Sequence, residues 1–348
     1  MHFDRERIAA EAVLARRAQG IVEGKLAALG LLQRQELAAD AWVQEAASTA
    51  AIEGERLDLQ AVRSSVARRL GIAGNGGPAT PRHVDGLLDI MDDAVGNAAG
   101  PLSHERLQAW QAALFPTGFS GMSRIRTGAY REQVHYEAPP SARVQAEMDG
   151  LIAWFNRAGE PDHLACAALA HLWLETIHPF EDGNGRVGRM LVDLVLARDS
   201  GEASRLIRIS QRLLEKRTEY YAELERAQHG TLDVTAWMGW FIAQVRAACE
   251  QASAVMEASL EKARFWYSHR DKELTPRQRK VINALLDAGP DGFDGGMSTR
   301  KYEHLTGASR ATSSRDLVEL AHAGLLRQDG AGRSTRYRLN IEGWNRSL

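Results

Sequence analysis

Cysteine is nearly missing: Cys166 and Cys249, each in an Ala-rich helical context, are the only two in 348 residues. So sparse a pair excludes a disulfide-stapled fold and reads as two buried thiols of a reducing compartment. No apolar run approaches the ~20 residues that span a bilayer, and the longest candidate, MLVDLVLA, is cut by Asp193. The N-terminal MHFDRERIAAEAVLARR places acids and arginines where a signal peptide needs an uninterrupted apolar centre. These absences predict a cytoplasmic protein without membrane contact. Internal repeats, low-complexity tracts and heptad arrays are also missing. A net charge of −2 is too small for a chain that coats nucleic acid along its whole length. The charge is uneven, however: from Lys262 onward there are 16 basic and 10 acidic residues, against 27 and 35 in the remainder. A basic tail on an acidic body leaves nucleic-acid contact open for that part alone.

What is present is mostly helix. Residues 4–70 lack proline and are rich in Ala, Leu, Glu and Arg, with apolar positions at helical spacing, predicting two or three helices. GIAGNGGPATP (71–81) is a loop, and helical patterns return over 82–95 and 103–114. FPTGFSGMSRIRTGAYREQVHYEAPP (115–140) is the one non-helical stretch of the body; its Gly, Tyr and Val content predicts a short hairpin closed by Pro139-Pro140. Helices follow over 141–156, 162–176, 186–200, 210–229 and 233–265. TPRQRKVINALLDAG then opens a different unit: three helical segments and the Gly-tipped, alternating QDGAGRSTRYRL, the order of a winged helix.

The chemistry concentrates in HPFEDGNGRVGR (178–189), between two of these helices. A helix N-terminus offers unpaired N–H groups and the positive end of a dipole, which together make an anion site. Gly183 and Gly185 let a phosphate approach the backbone, and the Asn184 amide adds a donor. Arg186 and Arg189, three apart, share a helix face and can reach one polyphosphate. Asp182 is a hard oxygen ligand of the kind Mg²⁺ takes beside phosphate oxygens. His178, with an unperturbed pKa of about 6.5, suits proton abstraction near neutral pH. Base, metal ligand, anion cradle and two cations describe phosphoryl or nucleotidyl transfer. Glu181 reads as solvated.

In order and spacing this stretch resembles the signature of the Fic family, His-Pro-Phe-x-Asp/Glu-Gly-Asn-Gly-Arg-x-x-Arg, at every defined position. In that family AMP passes from ATP to a protein hydroxyl. The resemblance implies that His178 deprotonates the target Ser, Thr or Tyr, and that Asp182 holds Mg²⁺ on the phosphates. It further implies that Asn184 and the Gly183 and Gly185 amides stabilise the α-phosphate, with Arg186 and Arg189 on the outer ones. Upstream, STAAIEGE carries Thr49-x-x-x-Glu53-Gly54, similar to the family's inhibitory motif Ser/Thr-x-x-x-Glu-Gly/Asn. There a helix presents the glutamate to the second arginine, here Arg189, and ATP binds poorly or unproductively. After the motif, Tyr220, Tyr221 and Gln228 match positions that border the adenine, although tyrosines packing a helix interface explain the first two nearly as well.

The fold implied is mainly α. An N-terminal helical region (1–100) carries the inhibitory motif, a Fic helical core with a short β-hairpin flap spans 101–260, and a winged-helix domain spans 270–348. One departure stands out. Only seven residues, EQVHYEA, separate Gly128-Ala129-Tyr130-Arg131 from Pro139-Pro140. A flap this short, whose usual work is to align a target segment by strand addition, leaves target docking and one side of the adenine pocket unspecified.

The activity expected is that of an auto-inhibited protein adenylyltransferase using ATP and Mg²⁺ on a target protein, with self-modification and a homodimer both open. One alternative is removal of AMP from a modified protein, with Glu53 orienting water. Another is a DNA-binding regulator whose core senses nucleotide, reading DNA through Ser309, Arg310, Thr312, Ser313 and Arg315. His171 reads as packed in the core, and FWYSHRDK (265–272) as a domain seam rather than a base-stacking platform.

Overall fold

The computed structural model describes residues 1–72, 80–132, 139–157, 162–289, 295–342 and 344, with Arg333 described in its backbone alone. Two compact units result, Met1–Ser253 and Ala254–Leu348.

The first unit is built around α8 (Asn184–Ser200). This helix is buried on every side: Val187, Met190, Leu191, Val192, Leu194 and Val195 are all fully buried, and even Arg189 and Asp193 are buried among them. A helix buried all round belongs at the centre of a bundle, and α8 is enclosed by α7 (His163–Ile177), α4 (Arg82–Gly96), α5 (His104–Leu114), α2 (Leu31–Ile52) and α9 (Ile209–Glu215). Burial contributes roughly 1.5–3 kcal/mol per large aliphatic side chain, which fixes α8 firmly enough to carry strained and charged groups at its N-terminal end. Helices α1 (Arg5–Ala28) and α3 (Leu59–Arg69) complete the N-terminal region. Asp4, Asp58, Ser103 and Asp162 cap α1, α3, α5 and α7 through their side chains.

The stretch read as one helix over 210–229 is two, α9 and α10 (Arg217–His229), with Lys216 at φ −107° between them. The break lets α9 pack on α2 while α10 turns its Tyr220 face to α7. The hairpin in the 115–140 stretch is very short: β1 (Phe119–Ser120) pairs antiparallel with β2 (Ser123–Arg124). Most of the expected flap, 133–138, lies outside the described residues. Cys166 and Cys249 are free thiols, pushed by burial up to about 11 and about 12. Among the described residues no helix is long and apolar enough to cross a membrane.

The second unit has the helix–helix–helix–hairpin order read from its sequence. Helix α12 (Pro276–Asp287) opens with a Thr275–Gln278 capping box and is followed by α13 (Thr299–Thr306) and α14 (Arg310–His322). Strands β3 (Leu326–Asp329) and β4 (Arg336–Leu339) pair antiparallel, and Met297 bridges to Tyr337 beside them. The core contains Val281, Ile282, Leu285, Tyr302, Leu317 and Leu320, and it takes in Phe265 from the end of α11 (Thr235–Ser268). Of the five candidate DNA-reading residues, Ser309 caps α14, Thr312 bonds to Ser309 and Ser313 is fully buried. Only Arg310 and Arg315 are both charged and exposed.

Candidate active site

His178 ends α7 in a left-handed conformation, φ 50° and ψ 58°, the only non-glycine residue with positive φ among those described. Such a backbone costs of order 1–3 kcal/mol and persists where the surroundings over-determine it. Here they do. Its N–H donates to Leu174 O at 2.8 Å, and its carbonyl accepts from Arg131 Nε at 2.7 Å. Arg131, itself buried, also donates from its backbone to Pro179 O and from Nη2 to Pro139 O and Ile177 O. Burial, with the Arg131 guanidinium behind it, holds His178 below the ordinary histidine range; a hydrogen bond to the Glu175 backbone and the Asp182 and Glu53 carboxylates pull the other way. The ring is therefore neutral near neutral pH, the form in which one nitrogen can accept a proton.

The loop that follows is closed by Asn184 rather than left open for its side chain to grasp a ligand. Asn184 Oδ1 accepts from Phe180 N and Nδ2 donates to Phe180 O, both at 2.8 Å, and the residue is buried. Gly183 caps α8 at φ 90°. Glu181, read as solvated, accepts from Arg126 N through Oε2 at 2.9 Å. Asp182 accepts from Ser120 Oγ on one carboxylate oxygen and from Gly183 N on the other.

Both motif arginines are occupied by the end of α2. Gly54, at φ 83°, stops that helix: Glu55 N donates to Ala50 O and Gly54 N to Ala51 O, a Schellman turn that only a left-handed residue completes readily. The turn projects Glu53 and Glu55 toward α8. Glu53 Oε1 accepts from Arg189 Nη2 at 2.7 Å, while Thr49 takes Arg189 Nε on Oγ1 at 2.8 Å and Nη2 on its carbonyl at 3.1 Å. A Cβ on Gly185 would stand 2.3 Å from Glu53 Oε1, so this glycine makes room for the carboxylate. Arg186 Nη1 donates to Glu55 Oε2 at 3.2 Å, and its guanidinium stacks 4.9 Å from the centre of the Phe115 ring. Arg189 is 0% exposed; removing the partner of so buried a charge costs about 3–5 kcal/mol.

Beside these groups opens a cavity of about 690 Å³, lined by Glu53, Glu55, Arg82, Ser120, Asp182 and Arg186 among others. No cluster of three or more His, Cys, Asp or Glu suited to a metal occurs among the described residues. One exposed-edge carboxylate with open lone pairs, Asp182, fits Mg²⁺ of the kind held largely by substrate phosphates and water. It does not fit a protein-caged ion.

Tyr220 is 1% exposed, stacked among His171, Trp237 and Trp240, with its hydroxyl 2.8 Å from His171 Nε2. Tyr221 is 41% exposed and its hydroxyl donates to Ile52 O at 3.4 Å, so it touches the inhibitory helix. Gln228 lies at the last turn of α10. Sequence reasoning missed Glu55, Ser120, Gln111 and the bracing role of Arg131. Of these, only Glu55 carried a signal, an acid one residue past the recognised motif.

Residues 101–196 match the Fic/DOC family, and residues 1–72 match a domain of unknown function (DUF4172). The chain is 29% identical over 144 residues to the protein adenylyltransferase fic-1 of Caenorhabditis elegans, covering 41% of this chain and 26% of that protein. It is 28% identical over 125 residues to a probable protein adenylyltransferase of Aquifex aeolicus, covering 36% and 35%. The chain thus spans about a quarter to a third of these relatives. A Fic family protein from Desulfovibrio desulfuricans shares the fold, with a TM-score of 0.54 at 22% identity over 96% of this chain and 97% of that one.

Proposed function

We propose that this chain, whose residues 101–196 belong to the Fic/DOC family, is an auto-inhibited protein adenylyltransferase. The observation that carries the reading is the Glu53–Arg189 pair at 2.7 Å, made in the space that Gly185 leaves open at the start of α8. A buried arginine at a helix N-terminus is matched to a phosphate oxygen, and a carboxylate of the chain itself stands in for that anion.

In the reaction, His178 takes the proton of a Ser, Thr or Tyr hydroxyl on the target. The hydroxyl oxygen forms a bond to the α-phosphorus of ATP, and the bond to pyrophosphate breaks. The Gly185 backbone N–H, Arg186 and Arg189 neutralise the phosphates, while Gly183 N holds Asp182. Asp182 would hold Mg²⁺, which when bound would supply positive charge against the phosphates. Tyr221, on the face that contacts the end of α2, is the better placed of the two tyrosines to border an adenine.

Glu53→Gly tests the reading. Loss of a charge-assisted pair worth roughly 1.5–3 kcal/mol should raise AMP incorporation about tenfold or more, seen as added AMP in intact-mass spectra of the protein incubated with ATP. If Glu53 instead orients water for removal of AMP, the parent releases AMP from protein already carrying it and the variant does not, a separate measurement that tells the two directions apart.

A further inference from the structure

The segment before the motif grips the loop's two acids, and the chemistry above uses none of these contacts. Ser120 sits on β1 opposite Ser123, across a turn that Gly121 makes at φ 56°. Its hydroxyl donates to Asp182 Oδ2. Arg126 N donates to Glu181 Oε2 at 2.9 Å. Fully buried Gln111 ties the two stretches together: Nε2 donates to the carbonyls of Arg126 and Asp182, each at 3.3 Å, and Oε1 accepts from Gly128 N at 2.7 Å.

We propose that Ser120 is a positioning residue that holds the Asp182 carboxylate on the cavity wall and keeps it from collapsing onto Arg186. This rests on the reading of Asp182 as the carboxylate that meets Mg²⁺ beside ATP. The competing arrangement is visible: Arg186 Nη2 lies 3.8 Å from Asp182 Oδ1, one helical turn away, short of a hydrogen bond. Arg186 is already committed to Glu55 at 3.2 Å, and Asp182 is committed to Ser120 on its other oxygen. Without the Ser120 hydroxyl, Asp182 keeps only its local bond to Gly183 N, and rotation toward the guanidinium meets no opposing contact. A carboxylate turned toward Arg186 would then present less negative charge to a cation, while Arg186 stays paired with Glu55 as before. Partners that orient a metal-binding carboxylate are typically worth 10–100-fold in metal affinity.

The test uses the full chain carrying Glu53→Gly, so that the phosphate site is free. ATP affinity is measured by calorimetry across a Mg²⁺ series and again with a chelator. Ser120→Ala is expected to raise the Mg²⁺ concentration giving half-maximal ATP affinity about 10–100-fold while metal-free ATP affinity changes by less than about threefold. Ser120→Thr, which restores the hydroxyl, is expected to return the Mg²⁺ requirement toward the parent's. A Ser120→Ala protein with the parent's Mg²⁺ requirement overturns the proposal and leaves the reading of Asp182 standing. Loss of metal-free and Mg²⁺-dependent affinity by equal factors also overturns it, because a general loosening of the hairpin would do that. A parent whose ATP affinity ignores Mg²⁺ overturns the reading of Asp182 and the assignment of Ser120 together.

Discussion

His178 concentrates several demands in one residue. It must close α7, turn the chain into the motif loop and stay neutral, and its left-handed backbone is the cost of the first two. Replacing it with alanine in the Glu53→Gly background should lower AMP transfer by a factor of about 10²–10⁴, the usual range for a positioned base. Mg·ATP binding should persist, because Asp182, the loop amides and both arginines remain. Parent-rate transfer by a folded His178→Ala protein would mean that another group takes the proton. Near this residue, Arg189 shows why a buried cation can serve as a switch. Its charge is fixed, its solvent is gone, and it pairs with whichever anion is present.

Where α7 lies against α8, a second consequence follows from burial. Glu175 on α7 is pushed up to about 7, chiefly by burial; Glu53 adds to the rise and Arg189 opposes it. Its Oε1 has no hydrogen-bond partner. A carboxyl whose folded pKa lies above its unfolded value stabilises the fold below the unfolded pKa and loses that contribution as pH rises through the folded one. Glu45 on α2 and Asp193 on α8 shift in the same direction, both by burial first. The bundle should therefore weaken between roughly pH 4.5 and 7 on account of Glu175. Glu175→Gln removes the ionisation. Measured by urea unfolding, the variant should gain on the parent as pH rises across that window, by about 3 kcal/mol at most. A stability difference that stays constant with pH would show that Glu175 does not titrate there.

For the chain as a whole, the open issue is whether the C-terminal unit is a DNA reader. Helix α14 puts two arginines outward, and one of them, Arg315, lies 3.7 Å from Glu319. Two phosphate contacts predict a salt slope near −2, or about a tenfold loss between roughly 50 and 200 mM salt. A protein with six to ten contacts would lose about 10³–10⁵ over that range. The expected outcome is weak retention with that shallow slope, and an Arg310→Glu protein whose self-association changes more than its DNA retention. A gel shift across a salt series with sedimentation alongside decides it; a slope steeper than about −4 would favour the DNA-reading unit.

The twelve residues from His178 to Arg189 suggested the proposed chemistry by themselves, because the residue types that suit a base, a hard oxygen ligand, an anion cradle and two cations are read from order and spacing alone. Helical periodicity likewise gave the mainly helical class and the helix–hairpin order of the C-terminal unit. Gly54 ends α2 because glycine takes a positive φ at little cost, but the helical pattern over 4–70 did not mark it as a terminus. Tertiary structure decided whom these groups meet. That Thr49 shares Arg189 with Glu53, that Glu55 takes Arg186, and that Ser120 and Arg126 hold Asp182 and Glu181 depend on contacts 55 or more positions apart. Nothing in local propensity encodes such distances. The break at Lys216 was hidden for the same reason: α9 and α10 each form a good helix, and only the separate surfaces of α2 and α7 require the chain to bend between them. Asn184 and Tyr220 were legible as residues but not as partners, because a buried amide or phenol bonds to whatever the fold places beside it.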